Sequence, residues 1–103
     1  MASEHVLTVT GTVSIRERIA VPPGAVATVK LVDTEGEVLA ATATDAPGMP
    51  TEFVLPVDPA LVTEPDRLLI WAMLRTDVGV WGTTELVPVE GDSTAVLLTK
   101  IDE

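Results

Sequence analysis

Apolar and β-branched residues recur in short blocks along the chain, and Gly, Pro and Asp separate these blocks. Val, Ile and Thr supply 34 of the 103 residues, a share typical of strands because branched side chains pack well on a pleated surface. Apolar and polar positions alternate within most blocks, which indicates strands with one buried face. The pattern predicts strands near residues 5–15, 17–21, 26–33, 37–45, 51–57, 67–76, 79–87 and 94–101.

Turn-forming residues lie between these strands. Residues 33–36, Asp-Thr-Glu-Gly, fit a type I turn followed by a glycine at positive φ, and they predict a hairpin. Pro23-Gly24 and Pro47-Gly48 fit type II turns. Asp58 and Pro59 predict a single helical turn, because Asp caps free amides and Pro suits the first helical position. We expect this turn to cross between two sheets.

Residues 16–26, RERIAVPPGAV, interrupt the first strand region. Charged residues such as Arg16 and Arg18 keep an exposed strand edge from pairing with another chain. Pro22 and Pro23 cannot donate ladder hydrogen bonds, so the strand must end or leave its sheet there. Such a break is typical of a corner at which a chain passes between two packed sheets.

Length and composition fit one folded domain spanning residues 1–103. Hydrophobic residues make up 47% of the chain and the mean hydropathy is +0.40, too apolar for a disordered chain. With the strand pattern, this predicts an all-β fold, a two-layer antiparallel β-sandwich of about seven to eight strands of the immunoglobulin or transthyretin type. The absence of cysteine excludes disulfides, thiol nucleophiles and Cys-based metal sites.

The charge balance argues against several classes of partner. Sixteen acidic residues stand against six scattered Lys and Arg, for a net charge of -10. Nucleic acids and anionic lipids are bound by clustered bases, so neither is an expected partner. The longest apolar run, residues 68–74, is too short to span a bilayer, and residues 1–5 do not resemble a signal peptide. We therefore expect no membrane insertion.

Residues 9–33, VTGTVSIRERIAVPPGAVATVKLVD, resemble the start of the YbaY-like lipoprotein family, which is related to the YscW-type pilotins of type III secretion. FVLPVDPALV (53–62) and TTELVPV (83–89) resemble later blocks of that family in the same order. The resemblance implies a small β-sandwich without enzymatic activity, tethered by a lipidated cysteine, with pilotin members escorting a secretin subunit. The positions that match the family motif are Arg16, Arg18, Pro22, Pro23, Asp58 and Pro59.

This sequence departs from the family pattern at its anchor. It contains no cysteine to carry a lipid, and only a few residues precede the first predicted strand. Either this sequence is a trimmed form of an anchored protein, or this member of the family is unanchored. We expect an unanchored member, located in the cytoplasm.

Residues 68–74 are apolar at every position, whereas a strand with one wet face alternates. By analogy with the resembled family, Leu69, Trp71 and Met73 point into the core. The outward-facing apolar stripe would then consist of Leu68, Ile70, Ala72, Leu74 and Val80. Contiguous exposed apolar area tends to mark an interface, so we predict that this stripe binds a partner unless a loop or the chain terminus covers it.

Two further residue types bear on this stripe. Arg67 and Arg75 lie at its two ends and favour an acidic or apolar partner. The facing of Trp81 stays open, because a one-residue shift in the preceding turn moves its side chain to the other face.

No pattern of catalytic residues is visible. The single histidine, His5, lies near the N-terminus, and no Gly-x-Ser-x-Gly motif occurs, so a Ser-His-Asp hydrolase is not expected. Asp33, Glu35 and Glu37 could ligate calcium, but their spacing relative to glycine differs from that of an EF-hand, which favours a solvated turn. We expect no enzymatic activity, no cofactor and no metal.

Three functions fit these observations. The favoured one is a non-catalytic interaction module that binds a protein partner through a sheet face or by strand addition at an edge. The second is a structural homodimer closed by the same apolar stripe. The third is a calcium- or sugar-binding domain that uses a pocket near Trp81 and the acidic turns.

Overall fold

A computed structural model describes residues 7–16, 23–46, 48, 50–62, 67–90 and 93–101. These residues form eight β-strands and one short 3₁₀ helix, Pro59–Leu61. The strands are β1 (Leu7–Ile15), β2 (Val26–Val32), β3 (Val38–Asp45), β4 (Thr51–Val57), β5 (Leu69–Thr76), β6 (Gly79–Gly82), β7 (Val87–Pro88) and β8 (Thr94–Ile101). The predicted strand at residues 17–21 lies outside the described residues. The all-β class is confirmed.

The strands form one hydrogen-bonded sheet rather than two separate layers. Their order is β3-β2-β5-β6-β8-β1-β4, and β7 pairs with β5. β8 links the β3-β2-β5-β6 part of this order to the β1-β4 part, because residues 94–98 pair with β1 and residues 99–101 pair with β6. The sheet curls until Cα atoms of its edge strands β3 and β4 come within 8 Å. The result is a nearly closed, barrel-like sheet, in which the expected two layers of a sandwich are not clearly separated.

The expected antiparallel pairing needs one correction. β1 pairs in parallel with β8, whereas it pairs antiparallel with β4. β1 and β2 do not pair, so the chain between them passes from one region of the sheet to another. The corner predicted at the double proline stays a prediction, because residues 17–22, with Pro22 among them, lie outside the described residues.

The interior of the curled sheet holds the hydrophobic core. The alternation predicted from the sequence is clearest in β4, where Phe53, Leu55 and Val57 are buried and the residues between them are exposed. The largest fully buried side chains are Trp81, Leu31, Leu55, Ile70, Leu74, Leu98, Val13, Val29, Val57 and Val96. Each such side chain contributes roughly 1.5–3 kcal/mol relative to an exposed position.

The hairpin between β2 and β3 is confirmed. The Asp33 Oδ1 atom accepts hydrogen bonds from the backbone N–H groups of Glu35 and Glu37, both at 2.9 Å. The Gly36 N–H donates to the Asp33 carbonyl at 3.0 Å, and Gly36 has a φ of 83°. The Asp side chain thus caps its own turn, and glycine takes the left-handed conformation that other residues avoid.

The connection from β4 to β5 is confirmed as a helical turn. The Asp58 side chain accepts a hydrogen bond from the Ala60 N–H at 3.0 Å, and Pro59 occupies the first turn. β4 and β5 are not neighbours in the sheet, so this segment crosses between its two regions, as the sequence predicts.

One of the two predicted Pro-Gly turns lies within the described residues. Gly24 has a φ of 85°, as a type II turn at Pro23-Gly24 requires. The type II turn predicted at Pro47-Gly48 stays a prediction, because Pro47 and residue 49 lie outside the described residues.

Gly11 lets β1 approach its neighbours closely. A Cβ atom at this position would overlap the Thr94 carbonyl of β8 and lie 2.8 Å from Cζ of Phe53 in β4. Any side chain there would push at least one neighbouring strand away. This glycine therefore holds the junction of β1 with β4 and β8.

Candidate partner-binding face

The inner face of β5 is formed by Ile70, Ala72 and Leu74, which are fully buried. Leu68, just before the strand, is also buried. The structure therefore contradicts the prediction that these four residues face outward as a partner-binding stripe. Ile70 and Ala72 pair with the core residues Leu31 and Val29 of β2, and this register directs them inward.

The other face of β5 carries Leu69, Trp71 and Met73, which are half-buried. These residues were expected in the core, so the two rows of the strand are exchanged. Both rows of β5 are apolar, as the sequence indicates, and the row outside the core is the one that contains Trp71. We call Leu69, Trp71 and Met73 the outer row of β5.

Val80 is the one member of the predicted stripe on the same side as the outer row. It lies opposite Arg75 in the β5–β6 ladder and next to the inward-facing Trp81. Because side chains alternate along a strand, Val80 extends the apolar surface of the outer row onto β6.

Val32 is a buried residue on the outer face of β2. It is only 6% exposed, yet it does not belong to the buried cluster that forms the core. It lies directly opposite Leu69 in the β2–β5 ladder and opposite Val38 on β3. Its neighbours on the outer face therefore shield it from water, separately from the core.

Lys30 lies beside the outer row. It is paired with Trp71 across the β2–β5 ladder, and its Nζ atom lies 5.0 Å from the centre of the Trp71 ring. A lysine at this distance is attracted to the electron-rich face of the indole. Its aliphatic stem covers apolar surface while the ammonium group stays at the water boundary.

The charges on this face have the opposite sign to the chain as a whole. β2, β5 and β6 contain Lys30 and Arg75 and no Asp or Glu, while the whole chain has a net charge of -10. Asp45 lies on the edge strand β3. It is two strands away from Arg75 of β5, and Val26 of β2 lies between them. The outer row is thus flanked by two cations on an otherwise acidic protein.

Trp81 is part of the core, which settles the facing that the sequence left open. It is 2% exposed, and the Nζ atom of Lys100 lies 5.8 Å from the centre of its ring. A buried indole does not offer a stacking surface for a sugar. The pocket expected near Trp81 is therefore not formed by this ring.

A groove of about 220 Å³ lies elsewhere, on the outer side of β1 and β4. Its lining residues are Thr10, Gly11, Thr12, Glu52, Phe53, Val54 and Ser93. Among these described lining residues, Glu52 is the one titratable side chain.

The acidic turn does not gather into a metal site. Asp33 uses one carboxylate oxygen to cap the hairpin, and Glu35 and Glu37 are exposed. In the part of the chain that the structure describes, no three His, Cys, Asp or Glu side chains are grouped so that they could hold a metal ion. His5 lies outside that part.

The family-motif residues shape the path of the chain. Arg16 is exposed at a bend after β1, Pro23 is exposed in the turn before β2, and Asp58 and Pro59 build the 3₁₀ turn. Arg18 and Pro22 lie outside the described residues. None of the described motif residues belongs to the outer face. No helix within the described ranges is long and apolar enough to cross a membrane.

The sequence matches the family described as "Type III secretion system lipoprotein chaperone (YscW)" over residues 4–98. The chain belongs to the YscW family. This confirms the resemblance to YscW-type pilotins that the motif residues indicated. No match is found among curated proteins.

A solved structure extends the similarity to the fold. The chain is 27% identical to an alternative pilotin from the type II secretion system of Vibrio cholerae, with a TM-score of 0.83. The alignment covers 96% of this chain and 100% of the pilotin chain. The nearly closed sheet is therefore shared with a pilotin along almost its whole length.

Proposed function

We propose that this chain is a non-catalytic, pilotin-like chaperone domain that binds a polypeptide subunit of a secretion system through the outer row of β5. Membership of the YscW family and the similarity to the Vibrio cholerae pilotin support the class of function. The observation that carries the choice of surface is the outer row itself, a half-buried Leu-Trp-Met series outside the core.

The outer row is more apolar than the fold requires. Ile70, Ala72 and Leu74 already supply the core contacts of β5, and a strand with one wet face normally carries polar residues in its second row. Apolar residues in that second row are typical of an interface. Trp and Arg dominate the binding energy of many interfaces, and Trp71 and Arg75 lie on the same side of this strand.

Photo-crosslinking in the source organism tests the proposal. A benzophenone amino acid is placed at position 71, and in a control protein at position 97, where Leu97 is 50% exposed on β8. We expect a covalent adduct from position 71 whose second component is a secretion-system subunit by mass spectrometry, and little adduct from position 97.

The other outcomes decide between the remaining functions. An adduct of twice the mass of the chain would support the homodimer, which is the alternative function. Adducts from position 97 alone would move the binding surface to the part of the outer face formed by β8. Absence of a polypeptide adduct at both positions would overturn the chaperone function. The cytoplasmic location expected from the sequence stays a prediction.

A further inference from the structure

We infer that the outer row binds an acidic partner segment, in which carboxylates flank apolar residues, and that Lys30 and Arg75 are the residues that recognise those carboxylates. This inference rests on the proposed function and adds the chemistry of the partner. It depends on where the two cations lie relative to the outer row.

The two cations lie at two levels of one apolar surface. Lys30 is level with Trp71 on the neighbouring strand, and Arg75 lies four residues further along β5 on the same side. Four residues of strand span about 13 Å. An extended segment with carboxylates about four residues apart would place one beside each cation, with its apolar side chains on Trp71 and Met73.

The chemistry of each cation suits this role. The Lys30 ammonium is held over the Trp71 ring, so little further side-chain entropy is lost when a carboxylate binds it. Arg75 is exposed, and a guanidinium can bind a carboxylate with two parallel hydrogen bonds.

The charge pattern also disfavours a second copy as the occupant. In a two-fold dimer each surface meets its own equivalent, so the cations of one outer face would meet those of the other. Each copy also has a net charge of -10, and the two copies would repel each other. An acidic segment of a different protein avoids the first of these repulsions.

The net charge of the chain makes the test discriminating. If overall charge governed binding, this acidic protein would prefer a basic peptide. A local site at Lys30 and Arg75 predicts the opposite order. The probes are three labelled peptides about ten residues long, enough to span the strand. On one face of the extended peptide, Glu, Gln or Lys stands at every fourth position with Val midway between, and Ser fills the positions that face away.

Fluorescence anisotropy measures the affinity of each peptide for the full chain. We expect the Glu peptide to bind about tenfold tighter than the Lys peptide at low salt, and the difference to shrink at about 0.5 M salt because screening weakens the contacts. The double variant Lys30→Glu, Arg75→Glu should abolish or reverse the preference.

A matched variant controls for the change of charge. Lys100 lies over the buried Trp81 rather than on the outer face, so Lys100→Glu should leave the preference for the Glu peptide in place. Circular dichroism establishes that each variant is folded.

Three results would overturn the inference: equal or tighter binding of the Lys peptide, no binding of any peptide, or an unchanged preference in a folded double variant. Any of these together with a subunit adduct from position 71 would leave the proposed function standing, so the two failures are distinguishable.

Discussion

Ile70 and Trp71 are neighbours in the chain, yet Ile70 is fully buried in the core and Trp71 lies on the opposite side of the sheet beside Lys30. This one step along β5 separates the part of the strand that stabilises the fold from the part that we assign to binding. The exchange of the two rows has consequences that stability and fluorescence measurements can check.

The two tryptophans should differ in their access to solvent. Trp71 is half-buried on the outer face, whereas Trp81 is 2% exposed. In the single-tryptophan variants Trp81→Phe and Trp71→Phe, acrylamide should quench the remaining Trp71 strongly and the remaining Trp81 weakly. Adding Lys30→Ala to the Trp81→Phe variant should increase quenching, because the lysine stem covers the ring. Equal quenching of the two indoles would contradict the assigned faces.

A pair of leucine truncations on β5 compares the two rows directly. Leu74→Ala should lower the free energy of unfolding by about 2–5 kcal/mol, because it leaves a cavity in the core. Leu69→Ala should lower it by only about 1 kcal/mol, because the side chain is already partly hydrated. Urea denaturation measures both values. A larger loss for Leu69→Ala would restore the facing predicted from the sequence.

Gly11 should tolerate no side chain. Gly11→Ala places a Cβ atom against the Thr94 carbonyl and the Phe53 ring, and we expect it to destabilise the protein by about 1–3 kcal/mol or more. Gly48→Ala is the matched control, because nothing lies within 4 Å of a Cβ there, and its effect should be less than about 1 kcal/mol. Similar melting temperatures for the two variants would show that β1 is packed less tightly.

The Asp33 cap should contribute measurably to stability. Asp33→Ala removes the acceptor of two backbone hydrogen bonds in the β2–β3 turn, and we expect a loss of about 1 kcal/mol. Glu35→Ala removes the same charge from the next acidic position of the turn and should have little effect. If both variants lose the same stability, the effect comes from charge rather than from the cap.

Local chemistry was well predicted from the sequence. Strands 26–33, 51–57 and 94–101 were predicted within one residue of the observed β2, β4 and β8. The turns at residues 33–36 and 58–61 formed as expected. Asp with Gly in the first turn and Asp with Pro in the second satisfy the local backbone without help from the rest of the fold. The YscW family was also recognisable from short motifs.

The candidate site was predicted only in part. The apolar run at residues 68–74 indicated a strand with two apolar rows, but either row can face the core when both are apolar. Lys30 was missed, although a lysine in the middle of a strand between buried residues marks the outward side. Pairing with Leu31 and Val29 of β2 selected the inner row, and no local pattern contains that information.

The sequence by itself determined which segments become strands, where the self-capped turns lie and which family the chain belongs to, because these depend on residues close together in the chain. The tertiary structure alone decided how the sheet closes, which row of β5 enters the core and where Trp81 lies. Those outcomes follow from register between distant strands, and from one strand, β8, that pairs with β1 along its first part and with β6 along its second.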